Sequence, residues 1–312
     1  MSKRIWVVFQ ARNGDYWFGS DGQGVYRFDG ATIVPFTTKD GLSGDRVREF
    51  KEGKSGSVYI GTLTGISKFD GKGFVTLAPV ESKEWRRHPE DLWFKGDSMV
   101  DGPYRYDGKT LHHHKFPKSE LEDEYFKNNP KQPFSPYGVY TIYQDNIGCL
   151  WFGTAGLGLC RYDGKGFGWL YERDLSETPG GGSFGIRSIT EDKHGKFWIN
   201  NTARRFAISH EPGKFRYTKE AGVDQPMVPG GEDPAWYNGI ARDSKQNLWM
   251  STFGGGVWQY DGEELTNYAA KDGVKDALGV SIYMDNRGDV WLGTLDSGAY
   301  RLKGNRFEKF RP

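Results

Sequence analysis

The chain has 312 residues, and its 42 Lys+Arg almost cancel its 41 Asp+Glu, leaving a formal charge of +1. Such a balance gives no global field toward nucleic acid or an anionic membrane surface, which argues against a nucleic-acid partner. Only 36% of residues are hydrophobic, yet 15% are aromatic and 44 are Gly, a composition that suits short strands and tight turns better than long helices.

In chain order the sequence reads as one pattern repeated. The first repeat starts a strand at Ile5, passes through Gly14-Asp15-Tyr16-Trp17-Phe18-Gly19-Ser20 and turns at Asp29-Gly30. The second starts at Val47, centres on Tyr59 and turns at Asp70-Gly71. The third is shortened, centring on Trp93 with its turn at Asp107-Gly108. The fourth runs from Val139 through Gly148-Cys149-Leu150-Trp151-Phe152-Gly153-Thr154 to Asp163-Gly164. The fifth starts at Ile186 around Trp198, and the sixth at Tyr237 around Trp249, turning at Asp261-Gly262. The seventh starts at Gly279 and contains Gly288-Asp289-Val290-Trp291-Leu292-Gly293-Thr294. Outside the third repeat, each start lies twelve residues before its anchor aromatic.

Asp-Gly signals a two-residue hairpin turn, because both central positions of a type I′ turn need positive φ. Each repeat therefore predicts four antiparallel strands, and seven repeats predict an all-β, seven-bladed β-propeller, a single domain over 1–312. The anchors Trp17, Tyr59, Trp93, Trp151, Trp198, Trp249 and Trp291 then pack sheet on sheet, each burying about 150 to 250 Å². At the chain termini, packing of Trp17 and Trp291 is expected to hold the first and last blades together. Cys149 and Cys160 flank one hairpin out of register, so no disulfide is expected.

The run Tyr143-Gln144-Asp145-Asn146-Ile147-Gly148-Cys149-Leu150-Trp151-Phe152-Gly153-Thr154, followed by Arg161-Tyr162-Asp163-Gly164, resembles the repeat of two-component regulator propellers. The connectors Thr38-Lys39-Asp40-Gly41-Leu42-Ser43 and Lys271-Asp272-Gly273-Val274 are similar to that family's inter-blade loops. The resemblance implies a ligand-sensing propeller, of the kind found in extracytoplasmic sensors of hybrid histidine kinases or in secreted proteins. Kinase, immunoglobulin-like and membrane segments of such receptors are absent from this sequence. No run of 18 apolar residues occurs, and Met1-Ser2-Lys3-Arg4 leads directly into patterned sequence. The expected location is periplasmic or extracellular if a signal peptide has been removed, and cytoplasmic otherwise.

Alternating strand direction gives each blade two ends. One carries short stereotyped turns such as Asp145 to Gly148, Asp192 to Gly195 and Asp285 to Gly288, whose Asp and Gly serve turn chemistry rather than calcium. The other carries the connectors, which lengthen at 78–84, 117–137, 171–184 and 218–235; Ser119-Glu120-Leu121-Glu122 fits a capping box opening a short acidic helix. Along the innermost strands the fourth residue is always apolar: Val8, Phe50, Ile142, Ile189, Ile240 and Ile282. The second is not: Trp6, Arg48, Tyr140, Arg187, Asn238 and Val280.

That divergence points to a ligand at the connector end. The candidate binding residues are Trp6, Arg48, Arg86, Tyr140, Arg187, Trp236, Tyr237 and Asn238, with Trp85 and Arg87 beside them. Guanidinium forks grip carboxylate, sulfate or phosphate and flat aromatics take sugar or aryl rings, so the expected partner is a small-molecule or saccharide ligand. Two alternatives stay open: a lyase or hydrolase on a uronate-containing glycan or lactone, with Tyr140 or Tyr237 as base beside Arg48 or Arg187, and a protein-interaction platform. Streptogramin lyases share the propeller architecture, but their His and Glu constellation has no counterpart here. His112 and His114 share one side of an exposed outer strand without a third ligand, so no metal is expected. The runs Gly180-Gly181-Gly182 and Gly254-Gly255-Gly256 lack a phosphate-loop context, and no cofactor is expected. No catalytic residue is assigned.

Overall fold

The computed structural model describes all residues except 98, 172–174, 176–184, 201–204, 210–215, 221–236, 253–254, 269–273 and 275–277. Within the described residues, the short turns of four repeats are built on a carboxylate six positions before an anchor tryptophan. Asp145 Oδ1 accepts the backbone N–H groups of Ile147 (3.2 Å) and Cys149 (2.7 Å), while its Oδ2 accepts the indole N–H of Trp151 (2.8 Å). The same three bonds recur around Asp192 and Trp198, Asp243 and Trp249, and Asp285 and Trp291. One side chain thus closes the turn and fixes the buried ring of the next strand. In the first repeat the corresponding residue is Ala11, and Trp17 Nε1 is buried without a hydrogen-bond partner.

The fold is an all-β propeller of four-stranded blades. Residues 47–77, 79–114, 139–170, 189–220 and 237–267 form five separate four-stranded sheets, while 5–36 and 279–309 are two meanders joined in one eight-stranded sheet. The structure therefore shows five separate blades where the repeat count predicts seven. Ile5 is the cause: it pairs with Ser20 of its own meander and also with Thr294 of the other. Gly293 permits that approach, since a Cβ there would lie 2.8 Å from Ile5 O. The predicted strand starts at Ile5, Val47, Val139, Tyr237 and Gly279 are those found, and the fifth begins at Ile189 instead of Ile186.

The Asp-Gly turns differ from the two-residue type. Phe28 pairs with Ile33, so Asp29 to Thr32 form a four-residue loop in which Asp29 Oδ1 accepts the N–H groups of Ala31 and Thr32. Gly30 takes positive φ and Asp29 does not. Asp70, Asp107, Asp163 and Asp261 repeat that capping.

The chain gathers into two compact units, 1–77 with 223–312 and 78–222. In the first, the terminal meanders are tied by more than the Ile5 bridge. The Gly298 N–H donates to Lys3 O (2.6 Å), the Tyr16 hydroxyl donates to Asp285 (2.7 Å), and the Asn286 N–H donates to Gln10 Oε1 (2.9 Å). Phe310 stacks on Phe18 at 5.1 Å and meets Trp291 edge-on at the same distance. Trp17 takes no part here. It packs the other way, among Phe36, Phe50, Phe69 and Phe74, which corrects the expected Trp17–Trp291 contact.

In the second unit the Trp93 sheet lacks the innermost strand of the other sheets. Pro79–Ser82 instead joins its outer side, parallel to Leu111–His114. The histidines expected on an exposed edge are consequently covered: His113 is 6% and His114 0% exposed. His113 lies between Glu81 Oε1 (2.6 Å) and Asp101 O (2.9 Å). Buried Arg105 donates from Nη1 to Asp91 (3.0 Å) and from Nε to His114 Nε2 (3.3 Å). The short helix Glu122–Asn128 forms as expected but without a capping box. Glu122 instead accepts the Tyr137 hydroxyl (2.6 Å), and that hydroxyl accepts the Ser119 N–H. Both cysteines are free and buried.

Two predictions follow from these buried groups. Ala11→Asp supplies the missing acceptor for Trp17 and raises unfolding free energy by about 1 kcal/mol, whereas Asp192→Ala, which strands the Trp198 indole, lowers it by about 2 to 4 kcal/mol; urea unfolding of both variants checks the pair. Burial, with the neighbouring Arg105 charge, pushes the His114 imidazole down from 6.5 to about 4. The unfolded chain thus binds the extra proton first, so stability is full above pH 6.5 and falls as pH drops toward 4. Between pH 7.5 and 5 the loss is about 1 to 2 kcal/mol, and His114→Phe flattens that part of the pH–stability profile.

Candidate ligand-binding site

The divergent second position of the inner strands has a structural origin. The register shifts between Ile5 and Val7, Val47 and Glu49, Val139 and Thr141, Tyr237 and Gly239, and Gly279 and Ser281. The residues left over are Trp6, Arg48, Tyr140, Asn238 and Val280, so each is the extra residue of a β-bulge. A bulge takes its residue out of the ladder and re-aims the side chain, releasing it from the alternation that keeps its neighbours apolar. In the fifth sheet the ladder starts later, and Asn200 Oδ1 accepts the N–H groups of Arg187 (2.7 Å) and Ser188 (3.1 Å). Divergence at this position thus needs no ligand to permit it; what the side chains do there is the informative point.

In the first unit the Arg48 guanidinium lies over the Trp6 ring, 3.5 Å from its centroid. It also donates from Nη1 to Val47 O (3.0 Å) and from Nη2 to Asp21 Oδ1 (2.9 Å). In the second unit Arg187 lies over the Tyr140 ring at 4.6 Å. Tyr140 in turn rests on Gly185, which has φ +72 and would place a Cβ 2.6 Å from the ring. Each pair joins the bulged aromatic of one sheet to an arginine at the equivalent place of the next.

The remaining candidates are placed otherwise. Asn238 is a bulge residue whose amide donates to Gly279 O at 3.4 Å. Tyr237 is only 2% exposed, in the buried position that Ile5 and Val47 hold in their strands, so it is not at an open mouth. Burial raises its phenol pKa, which unfits it for the base role. Arg86 faces Asp107 of a short turn at 3.6 Å, and Arg87 donates to Gly148 O at another, so both sit at the stereotyped end. Trp85 is wedged among Trp93, His114, Phe116, Phe152 and Phe167. The missing inner strand of the third repeat accounts for all three. Trp236 and Gly180 to Gly182 fall outside the described residues, as does part of the Gly254 run.

Sequence reasoning missed the group that anchors the first pair. Asp21, its side chain 2% exposed, binds Arg4 Nη2 (2.5 Å), Arg46 Nε (3.2 Å) and Arg48 Nη2 (2.9 Å). The signal was available in the matching triplets Arg4-Ile5-Trp6 and Arg46-Val47-Arg48. Among the described residues, no three His, Cys, Asp or Glu side chains converge as metal ligands.

A family model described as two component regulator propeller matches residues 133–156. The chain carries that repeat. Among solved structures it is similar to the extracellular domain of BT4673 from B. thetaiotaomicron, described both as a one-component and as a hybrid two-component system. That likeness has a TM-score of 0.63 at 20% identity and covers 97% of this chain and 38% of the other. Virginiamycin B lyase from Staphylococcus aureus is similar at TM-score 0.65 and 12% identity, covering 95% of this chain and 94% of the lyase. At these identities the likeness is one of fold. Among curated proteins none matches in sequence. No helix among the described residues is long and apolar enough to cross a membrane.

A double-mutant cycle on Trp6→Ala and Arg48→Ala, read by thermal and urea unfolding, should give a coupling energy of about 0.5 to 2 kcal/mol. Strict additivity of the two substitutions would show that the stacked pair is not energetically linked.

Proposed function

We propose that this chain is a ligand-binding propeller of sensor type, which recognises a polar, anionic or saccharide-like molecule at the connector end of its inner strands, and that residues 1–312 act as one such domain. The observation that carries the reading is the twice-repeated stacking of an arginine on an aromatic ring at the β-bulge position. Stacking fixes the plane of a guanidinium before any ligand arrives, which lowers the ordering cost of a bidentate contact to carboxylate, sulfate or phosphate. The rings add flat apolar surface against which a sugar or aryl group can lie.

A location outside the cytoplasm, periplasmic or extracellular, is supported by likeness to the extracellular domain of BT4673, although this chain spans 38% of that structure's length. The regulator propeller repeat at 133–156 supports the same reading. Of the two candidate bases of the lyase reading, Tyr237 is buried and Tyr140 lies stacked against Arg187.

The test is a thermal-shift screen with neutral and acidic oligosaccharides, since a ligand that binds only the folded form raises the melting temperature by mass action. A stabilising saccharide should lose at least tenfold in affinity for Trp6→Ala/Arg48→Ala or for Tyr140→Ala/Arg187→Ala. Unchanged affinity in both double variants would overturn the assignment.

A further inference from the structure

Arg4 and Arg46 hold equivalent places, each one residue before an inner strand of the first unit. Both side chains are more than half exposed, at 54% and 58%, yet each sends one nitrogen inward to the same buried carboxylate, Asp21. Arg48 binds that carboxylate as well. Burial alone would raise the Asp21 pKa, but the Arg48 hydrogen bond and the charges of Arg48, Arg46 and Arg4 outweigh it and hold the carboxyl below its usual range. Asp21 is therefore an anion at neutral pH. Three guanidiniums converge on this one carboxylate.

The donor count points the same way. Each guanidinium carries about five N–H donors, whereas a carboxylate offers about four lone-pair sites. Asp21 satisfies the inward edges, and no single carboxylate can satisfy the outward ones. The nearby Asp45 makes no ion pair with either guanidinium among the described residues; its oxygens face the Thr38 N–H (2.8 Å) and hydroxyl (3.2 Å). Asp21 acts as a buried template that gathers two exposed guanidiniums beside the stacked Trp6–Arg48 pair.

We propose that Arg4 and Arg46, braced by Asp21, form an oxyanion subsite that takes a carboxylate, sulfate or phosphate group of the ligand. The assignment rests on the binding reading above and narrows it: the recognised molecule is an anion, oriented by its charged group on Arg4 and Arg46. Asp21 is a positioning residue, and Arg4 and Arg46 make the contact.

Sodium sulfate, sodium phosphate, sodium glucuronate and neutral glucose are titrated against thermal melting at constant ionic strength in chloride, for the wild type, Arg4→Gln/Arg46→Gln and Arg4→Lys/Arg46→Lys. At least one of the three oxyanions should stabilise the wild type where glucose does not. Its apparent affinity should fall at least tenfold in the Gln pair and less in the Lys pair, which keeps charge but loses the fork. The rank of the three anions identifies which group the subsite prefers. Equal stabilisation of wild type and Gln pair by every anion overturns the subsite. If the Gln pair keeps wild-type affinity for a saccharide that Trp6→Ala/Arg48→Ala no longer binds, the subsite falls while the binding reading stands. If an oxyanion protects the wild type but not the Gln pair, and no saccharide binds, the subsite stands and the saccharide reading falls.

Discussion

Four of the seven repeats share one hydrogen-bonded constraint: a turn carboxylate that accepts two backbone N–H groups and the indole N–H six residues ahead. The contact couples local chain reversal to the orientation of the largest core side chain, so sequence-local and sheet-to-sheet order arise together. Further bonds link successive meanders at the same end. The N–H of Arg12 donates to Glu52 (3.0 Å), that of Asn146 to Glu191 (2.9 Å), and that of Asn286 to Gln10 (2.9 Å). With so much of the scaffold fixed at the short-turn end, the opposite end is free to vary in length and chemistry. In each unit an arginine–aromatic pair is found there.

How far the sequence could be read depended on whether the determinant was local. The twelve-residue interval from strand start to anchor is two strands and a turn, all contiguous, and it located five of the six expected starts. It missed at Ile186, where the Asn200 side chain takes the N–H groups that a ladder partner would have taken. Bulges at Trp6, Arg48, Tyr140, Asn238 and Val280 are differences between paired strands, so a single strand read alone does not reveal them. Pairing between Pro79–Ser82 and Leu111–His114 is likewise non-local and parallel, and it reversed the exposure expected for the histidines and the placement of Trp85, Arg86 and Arg87.

The candidate site shows the same division. Period and spacing selected the bulge residues correctly as the odd members of their strands, but the reason first given for the divergence, a ligand, is not required once the bulge is seen. What pairing geometry adds is direction: Arg48 turns onto Trp6 and Arg187 onto Tyr140. Asp21 was passed over because its partners Arg46 and Arg48 are about 25 residues away in sequence and the fourth member, Arg4, lies just before another strand. Tyr237 was included because an aromatic near an opening suggests contact with a ligand, whereas its place in the strand is the one reserved for the core.

The Ile5 to Thr294 bridge couples positions 289 residues apart. Loop-closure entropy grows only slowly with such a separation, but bringing the two segments together is slow compared with forming a hairpin. Until residue 294 is made, Ile5 lacks the second partner that it has in the folded chain. The seam between the two meanders thus closes at a single ladder pair, and it is one of the last backbone contacts that the growing chain can make.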